Sequence, residues 1–218
     1  MENENLKKKF YQDGFIHFKS FFLKKEIKEQ YAKLMKISNK SNLNRMINPH
    51  RELKEILNLY KNKKIVKFVE YLLKKEISGL QSEFFINPKG TIGHPPHQDD
   101  YFLKTGRNNS LNAWIPLVRT SNKNGTLKIY LKSHLGGLKT KLNNESLNNK
   151  KINLLKKYKT KIISCNVGDI VFISNQIFHG SGNNHLNKNR FVVAFGYIKK
   201  GSKFSRGKTA KRKLTKLN

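Results

Sequence analysis

Apolar residues follow a helical spacing in the first third of this chain and a strand-like spacing in the remainder. A first apolar run, Phe15–Phe18, is typical of a short strand. Within residues 24–37 the apolar residues recur at every third or fourth position, which predicts an amphipathic helix. Residues 52–77 repeat that spacing, and a polar break at residues 61–64 divides them into two predicted helices.

From Leu80 onward, short apolar segments alternate with stretches of Gly, Asn and Pro, as in proteins built from many strands. Leu127, Ile129 and Leu131 stand at every second position, which predicts a half-buried strand. Residues 170–173 form a continuous apolar run that is typical of a buried strand. Helices followed by strands indicate a fold that is mainly β with α, in which N-terminal helices brace a double-stranded β-helix (jelly-roll, cupin-like) core.

The length of 218 residues favours one domain, which we place at residues 1–198. Residues 199–218 are strongly basic and poor in apolar side chains, so they are expected to form a disordered tail. Residues 143–157 are rich in Asn, Lys and Leu and could form either a helix or a mobile lid. Residues 39–48 are polar and are expected to be a loop.

The composition excludes some classes of protein. Cys165 is the only cysteine, so an intrachain disulfide is impossible. The polar N-terminus lacks the apolar region of a signal peptide, and no apolar stretch approaches the ~18 residues of a membrane span. The expected location is therefore the cytoplasm.

The formal net charge of +31 has two readings. Such a charge attracts polyanions, which would suit a nucleic-acid partner. Alternatively, the charge reflects a general enrichment in Lys, Asn and Ile, since all three are encoded by AT-rich codons. The basic residues are scattered along the chain and are not interleaved with aromatic residues in one stripe, which favours the second reading.

A candidate metal site comes from His97, Asp99 and the distant His179. Two imidazoles and one carboxylate on one face of the metal, with open positions opposite, are the ligand set of mononuclear non-haem iron. In an extended strand, residues i and i+2 point to the same side, so His97 and Asp99 could reach one ion together. Arg190, at the head of a later apolar run, could bind a carboxylate through both arms of its guanidinium. The spacing of His-x-Asp alone is a weak signal.

Two neighbours of this motif are poorer ligand candidates. His94 precedes a Pro-Pro pair that would direct its ring elsewhere, and Asp100 points to the opposite side from Asp99. Ser181 stands two positions after His179, so its hydroxyl shares that face and can donate to a carboxylate.

Several motifs also occur in a characteristic order: residues 13–16 (Asp-Gly-Phe-Ile), 81–85 (Gln-Ser-Glu-Phe-Phe), 111–117 (Leu-Asn-Ala-Trp-Ile-Pro-Leu), 124–127 (Asn-Gly-Thr-Leu), 132–134 (Lys-Ser-His) and 179–184 (His-Gly-Ser-Gly-Asn-Asn). In that order, and together with Arg190, they resemble the phytanoyl-CoA dioxygenase-like Fe(II)/2-oxoglutarate-dependent oxygenases. The resemblance covers the chain from about Phe10 to Ile198. It departs from the family at Pro96, where many members have Trp, and in the short segment after His134.

The resemblance implies an oxidoreductase that uses Fe(II) and the cosubstrate 2-oxoglutarate, with ascorbate as an optional reductant. Arg190 and Ser181 would bind the distal carboxylate of 2-oxoglutarate. Trp114 would form a wall of the cosubstrate site or simply fill the core, and Gln81 would be a polar group of the pocket or an ordinary strand residue.

The expected activity is hydroxylation of a small organic metabolite, with release of succinate and carbon dioxide. The basic composition adds the expectation of an anionic substrate. The departures fall in regions that commonly shape the substrate pocket, and the pocket wall is expected from the Gln81 strand, residues 100–107 and residues 143–157. Two alternatives stay open: a dioxygenase of the same chemistry that acts on nucleic acid, and a non-catalytic jelly-roll binding module. The sequence selects neither one substrate nor an oligomeric state.

Overall fold

The structure is a computed structural model that describes residues 2–38, 45–140 and 148–217. Its helices are α1 (Glu2–Asp13), α2 (Lys24–Ser38), α3 (Lys54–Tyr60), α4 (Lys63–Leu73), α5 (Asp100–Leu103) and α6 (Asn149–Lys156). Its strands are β1 (Phe15–Phe18), β2 (Arg45–Ile47), β3 (Ile77–Asn87), β4 (Ser110–Pro116), β5 (Leu127–Tyr130), β6 (Thr160–Ile163), β7 (Ile170–Ser174), β8 (His179–Ser181) and β9 (Arg190–Lys199).

The strands form two antiparallel sheets. The larger has six strands in the order β1-β7-β4-β9-β3-β2, and the smaller has three in the order β6-β5-β8. Most neighbours in the sheets are not consecutive along the chain, as the crossing connections of a jelly roll require. The predicted jelly-roll fold is therefore confirmed.

Side chains of the large sheet alternate between two buried faces. On β9, Phe191, Val193 and Phe195 belong to the hydrophobic core that the large sheet shares with helices α1 to α4. Val192, between them, packs in a second core together with residues of the small sheet. The helices thus cover the outer face of the large sheet, as predicted, and the inner face is left for the interior of the barrel.

Most predicted elements occur close to their expected bounds. The polar break at residues 61–64 is real, because the side chain of Asn62 accepts hydrogen bonds from the amides of Lys64 and Ile65 and so begins α4. In the expected loop at 39–48, however, Arg45–Ile47 form strand β2 against β3, since the long β3 offers an open edge there. Residues 39–44 lie outside the described residues.

The C-terminal segment, residues 201–217, is ordered against the barrel, which corrects the expectation of a disordered tail. The backbone of Thr215 exchanges two hydrogen bonds of 2.8 and 2.9 Å with Gly79 of β3. Leu217 is buried in the core with the helices, and Arg212 is also buried. Few apolar residues therefore suffice, because main-chain pairing with an existing sheet edge supplies the rest of the anchorage.

The Asn/Lys/Leu segment contains helix α6, so the helical alternative holds for Asn149–Lys156, whereas residues 143–147 lie outside the described residues. None of the helices in the described ranges is long and apolar enough to cross a membrane.

Candidate metal centre

His97, Asp99 and His179 lie together in the structure, although they are far apart in sequence. His179 is the first residue of β8 and pairs with Ile129 of β5. Its backbone also forms an isolated antiparallel bridge with His97, with N–O distances of 2.9 and 3.0 Å in the two directions. Asp99 is not extended, because its φ of −61° and ψ of −35° place it at the start of helix α5. The expected extended His-x-Asp strand is thus wrong, and a bridge followed by a helical turn brings the side chains together.

The three side chains point their ligand atoms at one another. Nε2 of His97 is 3.3 Å from Oδ1 of Asp99, and Nε2 of His179 is 3.5 Å from Oδ2 of the same carboxylate. All three ligand atoms lie within 4.8 Å of each other. Donors at about 2.1 Å from an ion and at right angles to each other lie about 3 Å apart, so this spacing fits a shared ion after a small contraction.

The backbone fixes which ring nitrogen of each histidine faces this centre. Nδ1 of His97 lies 2.9 Å from the carbonyl of Pro95, and Nδ1 of His179 lies 3.1 Å from the carbonyl of Ile177. A carbonyl can only accept, so Nδ1 carries the proton and Nε2 of the neutral ring is left with its lone pair. Both imidazoles are therefore held in the tautomer that binds a metal through Nε2.

The charges of the centre favour an ionised carboxylate. Burial by itself would raise the pKa of Asp99, but His179, His97 and the amide of Asn112 outweigh it and hold that pKa well below its usual range. Burial lowers the pKa of His179, which favours its neutral form. Burial also opposes protonation of His97, but the contact with Asp99 prevails and raises its pKa.

Asn112 is a site residue that the sequence reasoning missed. Its Nδ2 donates a 2.6 Å hydrogen bond to Oδ2 of Asp99 from strand β4. Gly196 on the neighbouring β9 makes room for it, because a Cβ there would lie 2.9 Å from Oδ1 of Asn112. The sequence gives only a partial indication of this role: Asn112 stands two positions before Trp114 and therefore points to the same inward face of the strand.

Arg190 begins β9 and is only 4% exposed. One terminal nitrogen donates to the carbonyl of Gly125, and the other donates a 2.7 Å hydrogen bond to Oδ1 of Asn87. Its Nε has no hydrogen-bond partner within the described residues. Burial lowers the pKa of Arg190 to about 10, so the guanidinium is still charged at neutral pH. A buried guanidinium with only neutral partners and a free donor is suited to an anionic ligand.

The remaining predicted site residues also reach the same cavity. Ser181 accepts a 3.0 Å hydrogen bond from the amide of His94, which leaves the proton of its own hydroxyl free to be donated. Trp114 packs in the inner core and also lines the cavity, and its place in a cosubstrate wall stays a prediction. The amide of Gln81 also lines the cavity but is engaged by Glu83 and by Arg212 of the C-terminal segment.

A cavity of about 760 Å³ opens onto the candidate metal centre, a volume in the usual range of small-molecule sites. Its walls come from β2, β3, β4, β5, β7, β8, β9, the 94–103 region, helix α6 and the C-terminal segment. The polar and aromatic side chains among its lining are Arg45, Gln81, Glu83, Phe85, His94, His97, Asp99, Phe102, Asn112, Trp114, Lys151, His179, Ser181, Arg190, Lys208, Thr209 and Arg212.

The residues that line the cavity agree only in part with the pocket wall predicted from the sequence. The Gln81 strand contributes, as do Phe102 and Leu103 from the expected 100–107 wall and Lys151 from the expected 143–157 wall. Asp100 instead holds its own loop, since it accepts hydrogen bonds from Thr105 and from the side chain of Gln176. The C-terminal wall was missed, because a run of Lys and Arg carries no pattern that distinguishes the buried Arg212.

A second group of ligand-type atoms, in His17, Cys165 and Asp169, is better explained by structure. The carboxylate of Asp169 accepts hydrogen bonds from the amides of Ser20 and Asn166 and lies 3.0 Å from Nε2 of His17, so it closes the turn before β7. Burial raises the pKa of the Cys165 thiol to about 12, which disfavours the thiolate that metals bind.

Comparison with protein-family models gives a match to phytanoyl-CoA dioxygenase (PhyH) over residues 10–192. No curated protein matches the chain significantly.

Solved structures of similar fold are known. The non-haem α-ketoglutarate-dependent epimerase SnoN from nogalamycin biosynthesis is 16% identical, with a TM-score of 0.82 over 93% of this chain and 85% of its own. The carbocyclase SnoK from the same biosynthesis is 15% identical, with a TM-score of 0.81 over 94% of this chain and 87% of its own. EctD from S. alaskensis, solved with 2-oxoglutarate and 5-hydroxyectoine, is 15% identical, with a TM-score of 0.78 over 92% of this chain and 77% of its own.

Proposed function

Because this chain belongs to the phytanoyl-CoA dioxygenase family and is therefore a non-haem iron, 2-oxoglutarate-dependent oxidoreductase, we propose that it hydroxylates a small organic metabolite. The observation that carries the proposal is the convergence of His97, Asp99 and His179 at the cavity that Arg190 also lines. Succinate and carbon dioxide would be the products of the cosubstrate. Ascorbate would serve only to keep the iron reduced.

The donor set supports Fe(II) as the metal. Two neutral imidazoles and one carboxylate leave about half of an octahedron open, as an oxygenase requires, whereas a closed structural zinc site uses four protein ligands. Asn112 keeps the Asp99 carboxylate in place, and the carbonyls of Pro95 and Ile177 keep the rings in place. Support of this kind around metal ligands raises the affinity for the ion.

The surroundings of Arg190 support 2-oxoglutarate as the cosubstrate. Its guanidinium would bind the distal carboxylate, and the hydroxyl of Ser181 would donate to the same group. Hydrogen bonds to the carbonyl of Gly125 and to Oδ1 of Asn87 fix the orientation of the Arg190 guanidinium, which suits the binding of a carboxylate. SnoN has been crystallised with Fe³⁺ and α-ketoglutarate, and its fold is that of this chain.

The bound iron and 2-oxoglutarate would supply the oxidising chemistry, in which dioxygen is consumed and one of its oxygen atoms enters a C–H bond of the substrate. The chain itself would orient the two small molecules and keep water out. Trp114 and Phe85 form apolar parts of the cavity wall, which would help to keep water out.

The proposal can be tested by screening metabolites against the anaerobic complex with Fe(II) and 2-oxoglutarate, and measuring succinate after oxygen is admitted. We expect at least one metabolite to stimulate succinate release, and Asp99→Ala to abolish that release. Oxidation that needs only iron and ascorbate, without any oxoacid, would contradict the cosubstrate.

The charge of +31 favours one alternative, a dioxygenase that acts on nucleic acid. A titration of DNA and RNA across salt concentrations separates the two functions. Useful affinity near physiological ionic strength with a steep salt dependence would support the alternative, and weak binding would support the small-molecule enzyme. A cytoplasmic location stays a prediction.

A further inference from the structure

The candidate cavity is lined by two buried arginines. Arg190 is 4% exposed and Arg212, from the C-terminal segment, is 7% exposed. Neither forms an ion pair within the described part of the chain. Burying a charged group among neutral partners is costly unless a counter-charge binds next to it. The proposed function assigns an anion to Arg190, whereas the buried guanidinium of Arg212 is left without one.

The contacts of Arg212 hold its guanidinium in place without neutralising it. Nε donates a 2.5 Å hydrogen bond to Oε1 of Gln81, and one terminal nitrogen donates to the carbonyls of Phe102 and Ser205 at 3.3 and 3.1 Å. Those acceptors are all uncharged. Burial lowers the pKa of Arg212, while the carboxylates of Glu83 and Asp99 partly offset that effect. Arg212 and Asp99 line the same cavity, so the guanidinium and the candidate metal centre share one binding space.

The single other acidic side chain of the lining does not supply the missing charge. Glu83 accepts hydrogen bonds from Arg45, at 2.9 Å from Nε and 2.5 Å from a terminal nitrogen, and from the amide of Gln81. Gln81 and Glu83 stand two positions apart on β3 and so share its pocket face. The negative charge of Glu83 is thus balanced by Arg45, whereas the side chain of Gln81, which Arg212 contacts, is uncharged.

The segment that carries Arg212 is attached to the fold by two residues that do not line the cavity, Asn48 and Arg51. Arg51 donates a 3.0 Å hydrogen bond to the carbonyl of Lys211, and Asn48 donates one of 2.6 Å to the carbonyl of Ala210. At Gly207, whose φ is +66°, a Cβ would lie 2.6 Å from a terminal nitrogen of Arg212. The glycine lets the backbone pass close over the guanidinium, so Arg212 is held against the pocket by the chain that surrounds it.

We propose that Arg212 binds an anionic group of the substrate, a carboxylate or a phosphate, and that the C-terminal segment is the wall that selects substrates of this class. The inference rests on the proposed function, in which the distal carboxylate of 2-oxoglutarate occupies Arg190. The exposed Lys208 stands on the same wall and adds positive charge to it. A guanidinium whose fork is fixed by neutral acceptors loses little freedom when it binds an anion.

The experiment uses the full chain with Fe(II) and saturating 2-oxoglutarate under anaerobic conditions. Trp114 is the only tryptophan and lines the cavity, so its fluorescence reports binding without turnover. The probes are straight-chain carboxylates from butyrate to palmitate, each paired with its amide, and alkyl phosphates paired with their alcohols. We expect at least one acid to bind about tenfold or more tightly than its uncharged partner. If this preference occurs among the carboxylates, the recognised group is a carboxylate; if it occurs among the alkyl phosphates, the group is a phosphate.

Variants separate the charge of Arg212 from its structural contacts. In Arg212→Gln the preference should fall to about twofold or less, and Arg212→Lys, which restores the charge, should recover part of it. Arg51→Gln loosens the same segment outside the cavity and should keep the full preference. The proposal is overturned if native protein prefers no acid in either arm, if the preference survives Arg212→Gln, or if Arg51→Gln removes it equally.

This design distinguishes failure of the proposed function from failure of the role of Arg212. Binding of 2-oxoglutarate is measured first, and its absence would count against the proposed function. If the native protein binds 2-oxoglutarate normally but prefers no acid over its uncharged partner, only the role of Arg212 is contradicted.

Discussion

Asn112 provides a sharp test of how the metal centre is supported. Its amide donates a 2.6 Å hydrogen bond to Oδ2 of Asp99, the carboxylate that lies between the two imidazoles. In Asn112→Ala this carboxylate loses a neutral donor that holds it in position. We therefore expect Asn112 to act as a positioning residue for Asp99 and not to touch the iron itself.

The size of the effect follows from the bond that is lost. A hydrogen bond to an ionised group contributes about 1.5–3 kcal/mol, and removal of a group that supports a metal ligand weakens metal binding about 10–100-fold. These figures agree, since tenfold corresponds to about 1.4 kcal/mol. The Kd for Fe(II) of Asn112→Ala should thus rise about 10–100-fold above that of the native protein.

Anaerobic Fe(II) titration measures this change directly. Asn109→Ala is the matched control, because the Asn109 side chain donates to the carbonyl of Thr105 nearby without touching Asp99. The control should bind Fe(II) as the native protein does. An unchanged Kd in Asn112→Ala, with the fold intact, would refute the idea that this hydrogen bond positions the ligand.

Other predictions concern the sheet, acid stability and the cosubstrate. Tyr60→Phe should lower the free energy of unfolding in urea by about 2–4 kcal/mol, because the buried amide of Leu80 and carbonyl of Gly196 lose their common partner; a loss under about 1 kcal/mol would argue against it. Burial lowers the pKa of His50 from 6.5 to about 4. The contribution of its neutral form to the free energy of unfolding is therefore complete above pH 6.5, and up to roughly 3 kcal/mol of it is lost as the pH falls from 6.5 to about 4. His50→Asn should flatten this part of the stability profile, and an identical slope would contradict the assignment. Arg190→Lys should raise the 2-oxoglutarate requirement about tenfold or more while Fe(II) binding persists, since only the bidentate fork is lost; parallel loss of iron would mean a general collapse of the site.

The fold was predictable where the pattern of apolar side chains favours one type of secondary structure. The alternating apolar residues of β5 favour a strand, and so does the short apolar run of β7 that follows a turn; both strands occur. The amphipathic spacing of α2 likewise leaves one face for the core. The helix Glu2–Asp13 was not predicted, because its first residues are polar and only its later part, with Phe10, packs in the core.

The candidate site was predictable as a set of residue types but not as a geometry. His97, Asp99 and His179 are marked by their spacing and order, whereas the helical turn at Asp99 depends on the loop that Asp100 holds. The role of Asn112 needs the register of β4 against β9, which a single sequence does not reveal. Arg212 is hidden among other basic residues, since its burial results from sheet pairing at a distant strand.

The most direct test of the central claim is the iron content of three purified proteins, measured after anaerobic Fe(II) loading and gel filtration: the native chain, Asp99→Ala and Asp169→Asn. Asp169 belongs to the other group of ligand-type atoms and serves as the matched control. We expect about one iron per chain in the native protein and in Asp169→Asn, and almost none in Asp99→Ala, because the metal centre has only three protein ligands. Iron that stays in Asp99→Ala but is lost in Asp169→Asn would contradict this expectation.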